Sequence, residues 1–256
     1  MLTKLLETLG SFVIRRFADI GTIVLLYIDT MRELRHRPRY KSILAQMSHL
    51  GVDSLLIVTL TLLFTGVVFT LQTADILIDF GAQGTIGGII SIAIGRELGP
   101  VLVAVVCAGR VGAAITAEIS TMKVTEQIDA LRVMSVSPVN YLIVPRMIAC
   151  MIVVPILTVF GDVIGVVGGW AIAVFYSGIS SYLYINSIHT FVEVFDLTGG
   201  VIKAIFFGNV IAVLGCYYGL HSPDGAEGVG KATTKTVVSS IIAIFILNAV
   251  LTFILF

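Results

Sequence analysis

Two short stretches of the chain contain residue types that could bind or react with a ligand. The first resembles a nucleotide-binding motif but departs from it at one position. Residues 225–231 match GxxxxGK, the pattern of the phosphate-binding loop of ATPases. That pattern requires Ser or Thr next, whose hydroxyl holds magnesium, whereas this chain has Ala232. The stretch also follows an apolar segment of membrane-helix length instead of a buried strand. We therefore interpret it as a flexible glycine-rich turn, with Thr233 or Thr234 available as a helix cap.

The second stretch is the adjacent pair Arg96 and Glu97, inside the apolar segment 86–117. An ionisable group at membrane depth costs about 2.5–3.5 kcal/mol on insertion scales, so it persists where it faces a cavity, a partner or a polar head group. Gly99 and Pro100 favour a local break in the helix, which a cavity tolerates and lipid does not. The alternative is a structural pair, although adjacent helical residues point about 100° apart. We expect the pair to line a cavity.

Other candidate reactive residues do not form a recognisable set. The histidines are scattered without HExxH, and no GxSxG motif occurs. Asp162 has no obvious acidic partner at matching depth, so structural hydrogen bonding between helices is expected for Asp162 and Asn209. The three cysteines lie far apart in apolar segments and are interpreted as buried apolar residues. We expect no catalytic residue, metal site or cofactor in this chain.

The composition predicts that these residues are carried by membrane helices. Hydrophobic residues make up 57% of the 256 residues and charged residues 12%, against about 45–50% and about 25% in soluble domains. This balance, with a net charge of zero, excludes an ordinary soluble enzyme, a disordered chain and a strongly basic nucleic-acid binder. The predicted fold class is all-α, a polytopic helical membrane protein with a single membrane domain.

Five apolar segments are long enough to cross a bilayer, which needs about 20 helical residues. They are residues 52–71, 86–117, 141–175, 201–220 and 237–256. The second and third are long and contain prolines, so we expect tilted or kinked helices there. Residues 1–35 show an apolar stripe at helical spacing but no charge-free run of spanning length. They predict a helix along the cytoplasmic leaflet, with a sixth, tilted span as the alternative.

The charges of the loops predict the orientation. The segment 32–41 is rich in Lys and Arg, whereas the loops 73–85 and 176–200 contain neither. The remaining loops continue this alternation, which places the N-terminus in the cytoplasm and the C-terminus outside. Lys203 is the exception. It lies one turn inside the outer end of the fourth segment, where we expect its side chain to snorkel to the interface.

Residues 118–134, between the second and third segments, predict a short amphipathic cytoplasmic helix. An apolar stripe runs along it, formed by Val124, Ile128, Leu131 and Met134. Its polar face mixes both signs of charge and lacks the Lys/Arg excess expected for binding to anionic lipid. We therefore favour a protein partner for this helix over simple contact with the membrane surface.

Small residues recur at helical spacing in two of the predicted spans. Gly161, Gly165 and Gly169 are four residues apart, as are Gly95 and Gly99. Such rows let helix backbones approach closely. They fit packing within the chain and dimerisation equally well.

Two longer stretches resemble a known family. Residues 95–146, GRELGPVLVAVVCAGRVGAAITAEISTMKVTEQIDALRVMSVSPVNYLIVPR, are similar to the signature region of the MlaE-type permeases. Residues 219–238, GLHSPDGAEGVGKATTKTVV, resemble the second signature of that family. The resemblance extends over essentially the whole chain. Members of the family are membrane subunits of ATP-driven phospholipid transporters that work with MCE-domain lipid-binding proteins.

The resemblance implies a non-catalytic, homodimeric permease in the bacterial inner membrane. It implies phospholipid movement between that membrane and a periplasmic MCE-domain protein, which contributes to outer-membrane lipid asymmetry. ATP and magnesium would be bound by a separate cytoplasmic ABC ATPase. The N-terminus would be cytoplasmic, the C-terminus periplasmic, and nucleic acid would have no part.

The resemblance also implies roles for individual residues. Arg96 and Glu97 fall where the family places polar residues near the lipid cavity, and Leu63, Val67 and Leu71 are expected beside the acyl chains. Residues 118–134 become the coupling helix that docks into the ATPase. The residues assigned to this contact are Glu118, Thr121, Lys123, Glu126, Gln127, Asp129 and Arg132.

Two other classes of function stay open. A membrane-embedded lipid-modifying enzyme would use Asp162 or Glu97 as acid or base and would turn over lipid on its own. A scaffold that only anchors an MCE protein would show no effect of ATP on lipid movement.

Overall fold

The computed structural model describes residues 2–34 and 40–256, with side chains from Phe17 onward. Residues 35–39 of the predicted basic segment 32–41, and the side chains of residues 1–16 within the apolar stripe predicted for residues 1–35, lie outside this description. All regular structure in the described part is helical. The helices are α1 Leu2–Glu33, α2 Tyr40–Asp79, α3 Ile86–Ala93, α4 Gly99–Cys107, α5 Ala113–Val124, α6 Gln127–Val133, α7 Val144–Phe175, α8 Ser181–Phe191, α9 Val194–Leu220 and α10 Gly225–Leu255.

Five continuous helical stretches are long and apolar enough to cross a membrane. In the described part of the chain these are Tyr40–Asp79, Gln83–Val124, Val139–Phe175, Val194–Leu220 and Gly225–Leu255. The predicted all-α, multi-pass fold class is confirmed. Several of the helices extend beyond the apolar segments, because a helix continues into polar sequence wherever no residue terminates it.

The second stretch continues through Gly99 and Pro100 instead of breaking there. A π-helical turn, Ile94–Leu98, joins α3 to α4, and the amide of Gly99 donates to the carbonyl of Ile94, five residues earlier. Proline has no amide hydrogen, and a wider turn before it accommodates the lost bond. Further π-helical turns, Ala108–Gly112 and Val139–Ile143, join α4 to α5 and lead into α7. The predicted break is therefore a local widening of one continuous helix.

The glycine row of α7 packs within the chain, against α2. A Cβ on Gly66 would overlap the carbonyl oxygen of Gly165. A Cβ on Gly161 would lie 2.9 Å from Leu62, and one on Gly169 would lie 2.6 Å from the hydroxyl of Thr70. Only glycine lets the two backbones approach this closely. The sequence left open whether this glycine row serves packing within the chain or dimerisation, and the structure shows packing within the chain.

Helix α9 lies at the centre of the bundle and contacts α4, α5, α7 and α10. Its glycines meet neighbouring backbones directly. A Cβ on Gly200 would overlap the carbonyl of Gly95, and one on Gly208 would lie 2.5 Å from the carbonyl of Cys150. Large apolar side chains such as Phe207 and Ile211 are fully buried there. This arrangement brings the polar residues of α9 against the first π-helical turn.

Helix α1 is not among the five spanning stretches and contacts α9 through polar groups. Asn209 Nδ2 donates to the Tyr27 hydroxyl at 3.2 Å, which confirms the hydrogen bonding between helices expected for Asn209. The same expectation was wrong for Asp162, whose Oδ1 is buried without a hydrogen-bond partner among the described residues. The carboxyl points toward Gly99, whose backbone offers it no donor.

Helix α8 occupies the loop 176–200, where the sequence predicted no element. Its buried Tyr184 donates to the carbonyl of Val166 at 3.3 Å, and the amide of Gly88 donates to Ser187 Oγ at 2.8 Å. Burial raises the pKa of the Tyr184 hydroxyl, which therefore stays a donor. This helix covers one end of α3 and α7.

Two local predictions need correction. Residues 225–231 are the first turns of α10, not a flexible turn, and Thr233 and Thr234 donate to the carbonyl of Gly230 inside the helix instead of capping it. The predicted single helix 118–134 is two helices, because α5 continues out of the second span to Val124. The chain then turns at Glu126, whose φ of 59° no α-helix contains, before α6 begins.

Candidate functional site

The first π-helical turn directs Arg96 and Glu97 toward α9 and α10. Arg96 donates from Nε and Nη2 to Oδ1 of Asp196, at 2.6 and 2.5 Å. Asp196 is almost completely buried, whereas about a third of the Arg96 side chain (36%) is exposed. Arg96 and Glu97 do not pair with each other, since neighbours on a helix point in different directions. Each has its own partner on α9.

Glu97 is held by three side chains from α9 and α10. Its Oε1 accepts from Lys203 Nζ at 2.6 Å and from Thr252 Oγ1 at 2.9 Å. Its Oε2 accepts from Asn248 Nδ2 at 2.9 Å. Charge-assisted hydrogen bonds of this kind are roughly twice as strong as neutral ones. The carboxylate is therefore fixed, with 36% of the side chain still exposed.

Lys203 is fully buried and does not snorkel, contrary to the prediction. Its Nζ donates to Glu97, to the carbonyl of Arg96 at 2.9 Å and to Thr252 at 2.8 Å. Three acceptors satisfy the three protons of the ammonium group. Lys203 lies on the face of α9 that contacts the π-helical turn. Its ammonium group therefore pairs with the Glu97 carboxylate instead of reaching the membrane surface.

Phe256 covers this cluster. Its ring centroid lies 4.6 Å from Arg96 Cζ and 5.1 Å from Lys203 Nζ, within cation–π range. Arg96, Glu97, Asp196 and Lys203 together, with two cations and two carboxylates, are called the charged cluster below. It is electrically balanced, and it is open to ligands only through the exposed parts of Arg96 and Glu97.

Sequence reasoning missed four members of this site, namely Asp196, Lys203 as an ion-pair partner, Asn248 and Thr252. One signal was present. Asp196 and Lys203 are seven residues apart, which places them on one face of a helix two turns apart. The acidic and the basic residue on this face of α9 could therefore have been recognised as possible partners for Arg96 and Glu97.

The residues expected beside acyl chains lie at a helix contact. Leu63, Val67 and Leu71 are half-buried, and Leu63 and Val67 contact the position of Gly168 on α7. The adjacent face of α2 borders an open groove of about 420 Å³. Its lining residues are Phe64, Thr65, Val68, Phe69, Gln72 and Leu98. Leu98 directly follows Glu97 in sequence, but no member of the charged cluster lines this apolar groove.

The residues assigned to ATPase coupling fall into two groups. Glu118 and Lys123 make contacts within the chain. Arg146, buried on α7, donates to Glu118 at 2.7 Å and to the carbonyl of Leu142 at 2.8 Å. Lys123 Nζ donates to the carbonyl of Ser222 at 2.6 Å. These bonds hold α5 against α7 and against the connection between α9 and α10.

The other group is exposed and forms one surface around α6. It consists of Thr121, Glu126, Gln127, Asp129 and Arg132. Together with Val133 and Met134, which are also exposed but were not assigned to this contact, these residues are called the α6 surface below. Of the predicted apolar stripe, Ile128 and Leu131 are buried and fix α6 to the bundle, whereas Val124 and Met134 are exposed. Exposed apolar side chains among charges of both signs are typical of a protein–protein contact.

The start of α10 lacks the geometry of a nucleotide site. Lys231 is exposed and forms an ion pair with Glu227, one turn earlier, at 2.7 Å. A phosphate-binding loop needs free backbone amides ahead of its helix. Here the residues of the motif already belong to the helix. Among the described residues, no three His, Cys, Asp or Glu side chains form a group that could hold a metal ion.

Comparison with known proteins gives consistent matches along the chain. The family described as Permease MlaE matches residues 43–254. A probable ABC transporter permease protein of Rickettsia typhi is 40% identical over 257 residues, covering 100% of this chain and 99% of that protein. A probable ABC transporter permease protein of Synechocystis is 44% identical over 87% of this chain and 85% of its own length.

A third relative has a more specific name. The intermembrane phospholipid transport system permease protein MlaE of Haemophilus influenzae is 36% identical over 258 residues. The match covers 100% of this chain and 99% of that protein.

Proposed function

The chain belongs to the MlaE permease family, a family of ABC transporter permeases, and we propose that it is the subunit through which phospholipid crosses between the inner membrane and a periplasmic MCE-domain protein. Energy would come from a separate cytoplasmic ABC ATPase. The chain itself would be non-catalytic, and the system would contribute to outer-membrane lipid asymmetry.

The observation that carries this proposal is that the second spanning stretch contributes both to the charged cluster, through Arg96 and Glu97, and to the apolar groove, through Leu98. A phospholipid has a charged head group and two apolar chains. The exposed parts of Arg96 and Glu97 offer both signs of charge at membrane depth, and the groove lined in part by Leu98 offers an apolar wall. Because Asp196 and Lys203 hold these two side chains in place, the cluster can contact a head group without rearranging. Such preorganisation lowers the entropic cost of binding.

The α6 surface supports the proposal of an ATPase partner. It combines exposed Glu126, Asp129 and Arg132 with exposed Val133 and Met134. Ile128 and Leu131 fix α6 to the core, so force applied to this surface would reach α5 and the second span directly. A subunit without a nucleotide site needs such a rigid connection to receive work from a partner.

A homodimer with a cytoplasmic N-terminus is part of the same proposal. Gly109 has no atom within 4 Å of an added Cβ, and the neighbouring Arg110 is exposed and lies 3.6 Å from Asp53. Exposed charges within a spanning helix are costly in lipid. A second copy covering this face would shield them.

Reconstitution tests the proposal. The chain, its ATPase and its MCE protein are placed in vesicles, and transfer of labelled phospholipid to acceptor vesicles is followed with and without ATP. We expect transfer only with the complete complex and ATP. Chemical change of lipid by the chain alone would favour a lipid-modifying enzyme, and movement indifferent to ATP would favour a scaffold.

A pull-down of the tagged chain with lipid analysis is the companion experiment. We expect an ABC ATPase, an MCE-domain protein and bound phospholipid to co-purify. Recovery of the chain with none of these three would contradict the proposal.

A further inference from the structure

A second cavity lies on the other side of the first π-helical turn, between α7 and α9. It measures about 290 Å³ and is closed by α3 and by the end of α8, near the lower limit of ligand-binding cavities. Its walls are almost entirely aliphatic, with four valines of α7 together with Leu197 and Val201 of α9. None of the charged side chains of the charged cluster lines it.

Two polar groups interrupt these apolar walls. Asp162 is 6% exposed and Ser91 is 5% exposed, and both line the cavity. Oδ1 of Asp162 and Oγ of Ser91 are buried with no hydrogen-bond partner among the described residues. A buried polar atom without a partner is strongly unfavourable, and native structures contain few of them. Both residues therefore place unsatisfied polar atoms at the wall of an otherwise apolar cavity.

The rest of the chain does not supply the missing partner. The nearby basic groups, Arg96 and Lys203, are already paired with Asp196 and Glu97. A Cβ on Gly99 would overlap Oδ1 of Asp162, so the backbone at the start of α4 lies directly against the carboxyl group without donating to it. Oδ1 of Asp162 therefore has no donor among the described side chains, and the carboxyl group lies at the wall of the cavity.

The cavity opens toward the outside of the helix bundle. Val159, Val163 and Val167 border the opening, and each is about half exposed. They lie on one face of α7, a spanning helix, so the opening faces the apolar layer of the membrane. An amphiphile from that layer would reach the cavity through this opening, and a hydrogen-bond donor on its chain would complement Asp162.

We propose that this cavity binds an amphiphile whose alkyl chain carries a hydroxyl or amino group, with Asp162 accepting its hydrogen bond and Ser91 completing the contact. The shared chemistry is an O–H or N–H donor on an aliphatic chain. The proposal does not rest on phospholipid transport, because binding is a property of this chain without its ATPase. A failure of either proposal leaves the other standing.

The single tryptophan of the chain reports on this cavity. Trp170 lies on α7, eight residues after Asp162, about 12 Å along the helix axis. The full chain in phosphatidylcholine nanodiscs is titrated with three brominated probes, a dodecanol, a dodecylamine and a dodecane, because bromine quenches tryptophan at short range. We expect saturable quenching by the alcohol or the amine, with an apparent affinity at least about tenfold above that of the alkane.

Three variants test the contact. Asp162→Leu and Ser91→Ala each remove a polar partner, and we expect losses of about tenfold and about threefold in affinity for the favoured probe. Ser54→Ala is the matched control, because its buried hydroxyl donates to the carbonyl of Leu50 outside the cavity. It should bind like the unchanged chain.

Asp162→Asn separates the two ligand sources. It keeps a carbonyl acceptor and cannot ionise, so a hydroxyl ligand keeps its affinity, whereas an amino ligand, which would pair with a carboxylate, loses about tenfold. Three results would overturn the proposal. They are alkane binding equal to that of both other probes, unchanged affinity in both Asp162→Leu and Ser91→Ala, or an equal loss in Ser54→Ala. Should Asp162→Leu fail to fold, Ser91→Ala and the probe series still decide.

Discussion

Lys203 Nζ lies 2.6 Å from Oε1 of Glu97, and the lysine side chain is fully buried. The two residues are 106 positions apart in sequence. The pair joins α9 to the π-helical turn of the second span and fixes a carboxylate that is still partly exposed. It therefore has two consequences that can be measured separately, one for stability and one for lipid movement.

The first prediction concerns the energy of this pair. In a double-mutant cycle with Glu97→Gln and Lys203→Met, we expect each single change to lower the free energy of unfolding, because it leaves a buried polar partner unsatisfied. The double variant should lose about 1–3 kcal/mol less free energy of unfolding than the sum of the losses of the two single variants. Titration with a denaturing detergent measures these values. The exposed pair Glu227 and Lys231 is the matched control, with an expected coupling of at most about 0.5 kcal/mol.

The second prediction concerns the role of Glu97 in transfer. Glu97→Gln keeps the shape of the side chain and removes its charge. We expect ATP-dependent lipid transfer by the reconstituted complex to fall about tenfold, since a charge-assisted hydrogen bond is worth about 1.5–3 kcal/mol. Co-purification of the complex should be unchanged. Normal transfer would remove Glu97 from the binding site.

The third prediction concerns the α6 surface. Changing both Glu126 and Asp129 to Lys reverses two exposed charges, and we expect the ATPase no longer to co-purify while insertion into the membrane is retained. The matched control is the same double change at Asp75 and Asp79, which are exposed at the far end of α2. Retention of the ATPase by the first variant, or its loss from both, would argue against docking through α6.

The fourth prediction concerns helix packing. Gly66→Ala should lower the free energy of unfolding by about 1–3 kcal/mol, because the new Cβ overlaps the carbonyl oxygen of Gly165 and two backbones must move apart. Gly109→Ala meets no atom within 4 Å and should leave the fold unchanged or stabilise its helix slightly. Cross-linking of the two variants then measures whether each still forms the dimer. Loss of the dimer in Gly109→Ala alone would place Gly109 at the contact between copies.

The fifth prediction concerns Lys231. We expect Lys231→Ala to leave the ATP affinity of the complete complex unchanged, because this residue lies on a helix and pairs with Glu227 instead of facing a phosphate loop. Binding of a fluorescent ATP analogue to the complex measures this. Lost nucleotide affinity would assign a nucleotide contact to this chain.

Much of the fold followed from the sequence because the relevant properties are local. The length and apolarity of each segment predicted the five spanning helices, and the missing Ser or Thr at Ala232 predicted that the GxxxxGK stretch is not a nucleotide site. Ile128 and Leu131 were recognised as apolar positions of a short helix, and both are buried. The boundaries were less accurate, since helices continue past the apolar segments until a residue such as Glu126 turns the chain.

The partners of the site residues could not be predicted in the same way. The sequence indicated that Arg96 and Glu97 need counter-charges or polar surroundings, but it placed Lys203 at the membrane surface. A π-helical turn adds one residue to a helical turn and rotates everything after it by about 100°. Which face of the second span meets α9 therefore depends on a local widening that no side-chain pattern specified.

The sequence alone determined that this chain is a helical membrane protein with two adjacent charges at membrane depth, because solvation energies depend on residue type and segment length. Only the tertiary structure decided that Asp196 and Lys203 neutralise Arg96 and Glu97, whereas Asp162 has no partner. Ion pairs and unpaired groups result from the rotation and spacing of helices far apart in sequence. Those are set by the close contacts of glycines such as Gly66 and Gly200 with opposing backbones.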